Sequence, residues 1–311
     1  MSRLCPLLIL LALGAGPCSA VAQGGDFAGM VEIGGGRRIY LECRGTGSPA
    51  VVIVAGGRAS AADWTVPEPG KVNVFSAVAG ITRVCAYDRP GTPVGDAPSR
   101  SDPVPQPVTA ADGVADLHAL VAAARIATPF VIATHSYGGL VSRLYAMTYP
   151  AEVSAMVLLD TLSEGLRAAQ TAREWAIQRR LLAGDLTEAL RLYPPIERAD
   201  AERSMDQLLA AAPLRPMPLI VLSADRPWGP LVPGLIANGR LPADIPPDFG
   251  YITDRAQAQA QAGLAALVPG ARHVTRTDSG HEIHKDHPQL VIDAIRDVVE
   301  AVRGGTTSMA R

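Results

Sequence analysis

The residues whose types and order could do chemistry begin with Ser136. It sits in Pro129 to Gly139, PFVIATHSYGG. Phe130 to Ala133 is a short apolar run with the β-branched content of a buried strand, and it stops abruptly in Thr134-His135-Ser136-Tyr137-Gly138-Gly139. Leu140, Leu144 and Met147 then recur at helical spacing until Tyr149-Pro150 ends the helix. Strand, sharp turn and helix with a serine at the apex is the layout of a nucleophile elbow, whose strained backbone needs small neighbours, here Gly138 and Gly139. Thr134 departs from the usual first glycine, so the strand and helix are expected to approach each other less closely.

A serine hydroxyl is a weak nucleophile at neutral pH, and needs a base with an orienting acid behind it. The candidate base is His281 in DSGHEIH, in a loop between the last strand and the last helix. Two acids lie between serine and histidine: Asp160 ends the strand Val153 to Leu159, and Asp225 follows the strand Leu219 to Leu222. Both stand at carboxyl ends of strands, where sites form in open α/β sheets, although an aspartate there can equally form a turn or cap a helix. A tetrahedral intermediate needs two N–H donors, and Tyr137, after the serine, and Gly57, in the turn after AVVIVA, are placed to supply them. The same Gly56-Gly57 pair would also suit an ordinary tight turn.

The remaining histidines are read as structural. His281, His284 and His287 share a spacing of three, but ligation would need one continuous helical turn, and Pro288 marks a helix that begins after them. No Glu or Cys completes a set, so no metal and no cofactor is expected. His284 and His287 read as surface or local structural residues, His135 as pointing away from the serine, His273 as a strand residue and His118 as a helix-face residue.

These groups are carried by alternating strands and helices, which predict an α/β fold with a mostly parallel sheet. MVEI, Gly34-Gly35-Gly36 and RRIYLECR read as a hairpin. Ala50 to Ala55 and Val84 to Tyr87 are nearly all apolar, as for strands covered on both faces. Pro90 to Pro107 is irregular, and Thr109 with Asp112 caps a helix carrying Val114, Leu117 and Val121 on one face. Residues 162 to 212 are helical in pattern apart from Pro194-Pro195, and stand where a lid would cover a site. A proline-rich stretch to Pro247, a helix over 252–267, a short strand at His273-Val274-Thr275 and a helix from Pro288 to Val302 complete the chain.

The balance of 48% hydrophobic and 19% charged residues over 311, with a net charge of -2, suits one large domain and gives no basic surface for nucleic acid. A small-molecule partner fits better. Residues 1–22 read as a signal peptide, with Arg3, the apolar run Leu4 to Leu13 and Ala20-Val21-Ala22 as cleavage site, which leaves 23–311 as an exported domain without a membrane span. Cys5 and Cys18 depart with the leader, so Cys43 and Cys85 remain as one possible pair or as two buried thiols.

AGGRASAADW, VCAYDRPGTP, ATHSYGGLVSRLYAMTYP, MVLLDT and DSGHEIHKDHPQLVIDAI, in that order, resemble the α/β-hydrolase superfamily, in the branch of exported serine esterase-like proteins. The resemblance implies a mostly parallel eight-stranded sheet with helices on both faces and a helical lid. It implies Ser136 as nucleophile, His281 as base and an acid after the sixth or seventh strand. Asp160 matches the strand-six arrangement and is favoured, while Asp225 follows its strand almost immediately and stays open. Ala55 stands where many relatives carry the histidine of an HG turn. A serine disfavours the branches that use an aspartate nucleophile, epoxide hydrolases and haloalkane dehalogenases. The fold also puts the strands of Cys43 and Cys85 side by side, which implies a disulfide. The activity implied is that of a carboxylesterase on a small acyl ester, or of a lactone, amide or thioester hydrolase using the same set; a non-catalytic binding protein on the same fold is the alternative.

Overall fold

The computed structural model describes residues 25–309, so the leader read over residues 1–22 lies outside the described residues. The first two strands, β1 (Phe27–Gly34) and β2 (Arg37–Arg44), form the expected hairpin, and Gly34, Gly35 and Gly36 all take positive φ in its turn. The chain continues through β3 (Val51–Val54), α1 (Ala62–Thr65), α2 (Val74–Ala79) and β4 (Val84–Tyr87). Then follow α3 (Ala110–Ala123), β5 (Phe130–His135), α4 (Gly138–Thr148) and β6 (Val153–Leu159). Four helices, α5 (Glu164–Ala168), α6 (Ala172–Ala183), α7 (Thr187–Leu192) and α8 (Ala201–Ala210), precede β7 (Leu219–Leu222). The last elements are α9 (Val232–Ala237), α10 (Phe249–Ala265), β8 (Arg272–Val274), α11 (Ile283–Asp286) and α12 (Pro288–Arg303).

The strands form one eight-stranded sheet in the order β1-β2-β4-β3-β5-β6-β7-β8. β1 pairs antiparallel with β2 and β2 antiparallel with β4; every other pairing is parallel. The central strands are apolar on both sides because both faces are covered. Val52, Val54 and Ile132 meet one core with residues of α3, α4, α8 and α10, while Val51, Ile53, Val131 and Ala133 meet the other with α2 and α12. In α12, Val291, Ile295 and Val298 recur at helical spacing, and all are fully buried. The capping box of Thr109 and Asp112 forms as its spacing predicts.

Cys43 and Cys85 face each other in the β2–β4 register and are joined by a disulfide, with 4.0 Å between their Cα atoms. Among the described residues no helix is long and apolar enough to cross a membrane.

Three local readings need correction. The 162–212 pattern is interrupted after α5 and at Gly184 as well as at Pro194-Pro195, because Gly184 ends α6 at φ 68. The proline-rich stretch before Pro247 contains α9, a helix that Pro233 starts rather than breaks. A separate helical turn, α11, stands before Pro288, so His284 is helical and only His287 marks the boundary.

Candidate active site

Ser136 follows a strand whose residues are all buried and occupies the turn at φ 52, a left-handed conformation that costs free energy for a residue with a side chain. The following helix holds it there. A Cβ on Gly138 would lie 2.5 Å from Ala55 O, and one on Gly139 would lie 2.4 Å from Thr161 Cβ, so only glycine lets α4 start this close to β3 and β6. Thr134 does not loosen this approach. Its hydroxyl turns inward and donates to Val54 O at 3.1 Å, fastening β5 to β3 where a glycine would leave only backbone contact.

Asp160, directly after β6, also takes positive φ, 39, and is buried. Its Oδ2 is 2.7 Å from Nδ1 of His281, which arrives on the loop after β8. Its Oδ1 accepts from the backbone N–H of Ala224 and from Gln257 Nε2, each at 3.3 Å. The imidazole is therefore held by one nitrogen, with Nε2 left for another partner. Burial opposes its charge, but the hydrogen bond and charge of Asp160, with Glu282 nearby, outweigh burial and raise its pKa above the ordinary histidine value.

Asp225 lines the same cavity, but its carboxylate is spent on main chain. Its Oδ1 accepts from Ser279 N–H at 2.9 Å and its Oδ2 from Thr277 N–H at 3.1 Å, while Ser279 O accepts from the N–H groups of Asp225 and Arg226. Burial disfavours its charge, but these backbone donors prevail and lower its pKa. It pins the loop that carries His281, and it does not touch the imidazole.

Ser136, Asp160 and His281 line one cavity of about 850 Å³. Its apolar wall includes Leu162, Leu166, Leu181, Leu182, Trp228 and Leu231, from the α5–α6 region and the segment before α9. Gln178 of α6 and Thr253, Gln257 and Gln261 of α10 supply polar wall. Gly57 and Tyr137 stand side by side next to the serine turn: a Cβ on Gly57 would meet Tyr137 Cβ at 3.5 Å, and one on Gly56 would meet Ser136 Cβ at 3.2 Å. Neither N–H is spent on a turn or loop hydrogen bond among the described residues. Both are thus free to donate to a bound oxygen.

Several expectations change here. His284 is not a surface residue: it is buried and stacked on Trp64, with centroids 4.2 Å apart. Burial first, and His135 second, push its pKa down to about 3. His135 does lie along the turn, but its Nε2 is 2.9 Å from His281 O, so it props the loop that carries His281. His287 is a local structural residue, with Nδ1 2.8 Å from Thr277 O. Ligand atoms of His135, Glu282 and His284 lie within 4.8 Å of one another, a different trio from the one spaced in sequence. The Lys285 ammonium is 3.2 Å from the Glu282 carboxylate, which places a cation there already. Gln257 was invisible in the sequence, since a glutamine on an alanine- and glutamine-rich helix carries no periodic signal and its partner is 97 residues away.

The sequence profile described as the alpha/beta hydrolase family matches residues 51–294, and the chain belongs to that family. Solved structures of similar fold include a thermophilic esterase from Thermogutta terrifontis, with 17% identity and a TM-score of 0.53 over 90% of this chain and 99% of that one. A carboxylesterase from Bacillus subtilis matches with 16% identity and a TM-score of 0.52 over 90% of this chain and 94% of that one. A haloalkane dehalogenase from Agrobacterium tumefaciens C58 matches with 15% identity and a TM-score of 0.56 over 92% of this chain and 100% of that one. At such identities the likeness is one of fold. A probable transporter, efuK, of Hormonema carpetanum is 28% identical over 141 residues, 44% of this chain, and this chain spans 19% of that protein's length.

Proposed function

We propose that the chain is a serine hydrolase of small, largely apolar carboxylic esters, with Ser136 as nucleophile, His281 as base and Asp160 as the acid that orients it. The observation that carries this reading is the 2.7 Å contact of Asp160 with His281 in the cavity that also opens on the strained Ser136. Ser136 Oγ attacks the acyl carbon and its proton passes to His281 Nε2. The carboxylate of Asp160 keeps the proton on Nδ1 and stabilises the imidazolium. The oxygen that gains charge is held by the N–H groups of Gly57 and Tyr137. Collapse expels the alcohol with the proton from His281, and water repeats the sequence on the acyl-enzyme. The same groups would open a lactone, amide or thioester. Residues 162–212 would act as a lid, joined by α10 as the second part of the roof. Export is supported by the leader-like residues 1–22 together with the Cys43–Cys85 disulfide.

The test is covalent labelling by a fluorophosphonate together with hydrolysis of p-nitrophenyl acetate. The wild-type protein is expected to label at Ser136 and to turn over the ester, and Ser136→Ala to do neither. A Ser136→Ala protein as fast as wild type would sink the reading, and a wild type that stays unlabelled would favour a binding protein on this fold.

A further inference from the structure

Behind the Gly56-Gly57 turn lies an ion pair that the reaction above does not use. Arg89, from the turn after β4, is 4% exposed, and Glu197, from the segment between α7 and α8, is 1% exposed. Arg89 Nε donates to Glu197 Oε1 at 2.7 Å and its Nη2 to Oε2 at 3.1 Å. The remaining guanidinium bonds go to main-chain carbonyls, Ala55 O at 2.7 Å and Gly56 O. Glu197 Oε2 also accepts from the N–H of Arg58, at 2.6 Å. Two carbonyls and one N–H of a four-residue turn are thus fixed by one charge pair.

The bond to Gly56 O matters most. Gly56 C=O and Gly57 N–H belong to one planar, trans peptide, so they point in opposite directions. Drawing the carbonyl onto the guanidinium, with the N–H of Ala59 as its second donor at 3.2 Å, turns the Gly57 N–H away from the ion pair. Arg58 is held at φ 59 by the same network. The two carriers are themselves joined: Glu197 N–H donates to Gly91 O at 2.9 Å, and a Cβ on Gly91, at φ 87, would lie 2.5 Å from Pro195 O. Stability alone is a poor reason for such a pair, because well-packed apolar residues often do as well in a protein interior.

We propose that Arg89 and Glu197 are positioning residues that aim the Gly57 N–H at the oxyanion, and that Glu197 ties this aim to the seating of the helical insertion between β6 and β7. The proposal rests on the serine-hydrolase reading. Its test uses the mature protein with Glu197→Gln and, separately, with Arg89→Met and Glu197→Met combined, which removes both charges and leaves neither orphaned. Each is assayed on p-nitrophenyl butyrate and against an alkyl trifluoromethyl ketone. In the adduct Ser136 Oγ bonds to the ketone carbon, His281 takes the hydroxyl proton, and the former carbonyl oxygen becomes an oxyanion.

The expected result is a fall in kcat of about 10- to 100-fold with KM within about twofold, the scale of a misplaced rather than a deleted donor. Affinity for the ketone falls by the same factor, and the double variant stays folded. A merely structural role would reduce kcat and ketone binding only in proportion to folded protein. That result, or a folded variant with wild-type kcat, overturns the proposal; if Glu197→Gln does not fold, the double variant decides. A wild type that neither hydrolyses the ester nor binds the ketone overturns the hydrolase reading and this proposal with it.

Discussion

The ends of β6 and β7 each carry an aspartate, and the two do different work. Asp160 is buried, strained and spends one oxygen on an imidazole. Asp225 is exposed and spends both oxygens on main-chain N–H groups of the loop that brings that imidazole. They are even connected, since the N–H of Ala224, next to Asp225, donates to Asp160 Oδ1. The difference teaches that a strand-end carboxylate is not an acid of the site by location. Its role follows from what comes back across the sheet to meet it. On the proposed roles, one aspartate tunes the base and the other places it.

The largest effect is expected at Asp160. Asp160→Asn should lower kcat/KM about 10³- to 10⁴-fold, because the amide no longer holds the correct tautomer or stabilises the imidazolium. It should also move the acid limb of the pH profile downward: the carboxylate raises the His281 pKa and burial alone would lower it, so removing the charge leaves the lowering cause. An unmoved limb, read in residual turnover or by NMR titration of the ring, would break the assignment. Asp225→Asn is expected to cost about tenfold, through a loosened loop, with the limb where it was. A loss as large as that of Asp160→Asn would reverse the two roles.

The remaining predictions sharpen each side. Gln257→Leu removes a polar contact to Asp160 Oδ1 but not the bond to His281, and kcat should fall about threefold, a fraction of one hydrogen bond. On the loop side, His284 and His135 are buried with depressed pKa values. The unfolded chain takes protons on these rings near pH 6.5 and the folded chain does not, so stability falls as the pH drops below that value. Each ring contributes a slope of roughly 1.4 kcal/mol per pH unit well below it. His284→Phe keeps the stack on Trp64, and urea unfolding between pH 7 and 4.5 should show an acid-side slope shallower than that of wild type by about one ring's contribution. An unchanged slope would mean that His284 already binds a proton in the fold.

Much of this was legible in the chain. The central strands announce themselves because a strand covered on both faces must be apolar throughout, and Val84 to Tyr87 and Leu219 to Leu222 fall where the sequence places them. Ser136 was readable because the elbow writes its strain into local composition. The choice between Asp160 and Asp225 was not readable from the residues, since both occupy the same kind of position and only a partner 121 residues from Asp160 separates them. His284 could be read only as a surface or local structural residue, because nothing near it in sequence reports Trp64. Glu197 and Gln257 were silent for the same reason. A polar residue on a helix or loop is solvated by default, and its burial is decided by elements that meet it only in the folded chain.

The long reach from Asp160 to His281 also sets a clock. On the proposed roles, the nucleophile Ser136 and the acid Asp160 follow the central strands β5 and β6, whereas the base His281 follows β8, at the sheet edge and among the last elements of the chain. On those roles, a chain still being made, or one halted before β8 docks, would lack the base that takes the serine's proton. Hydrolytic competence would then appear in a single late step, and turnover during refolding would time the arrival of the edge strand rather than the collapse of the core.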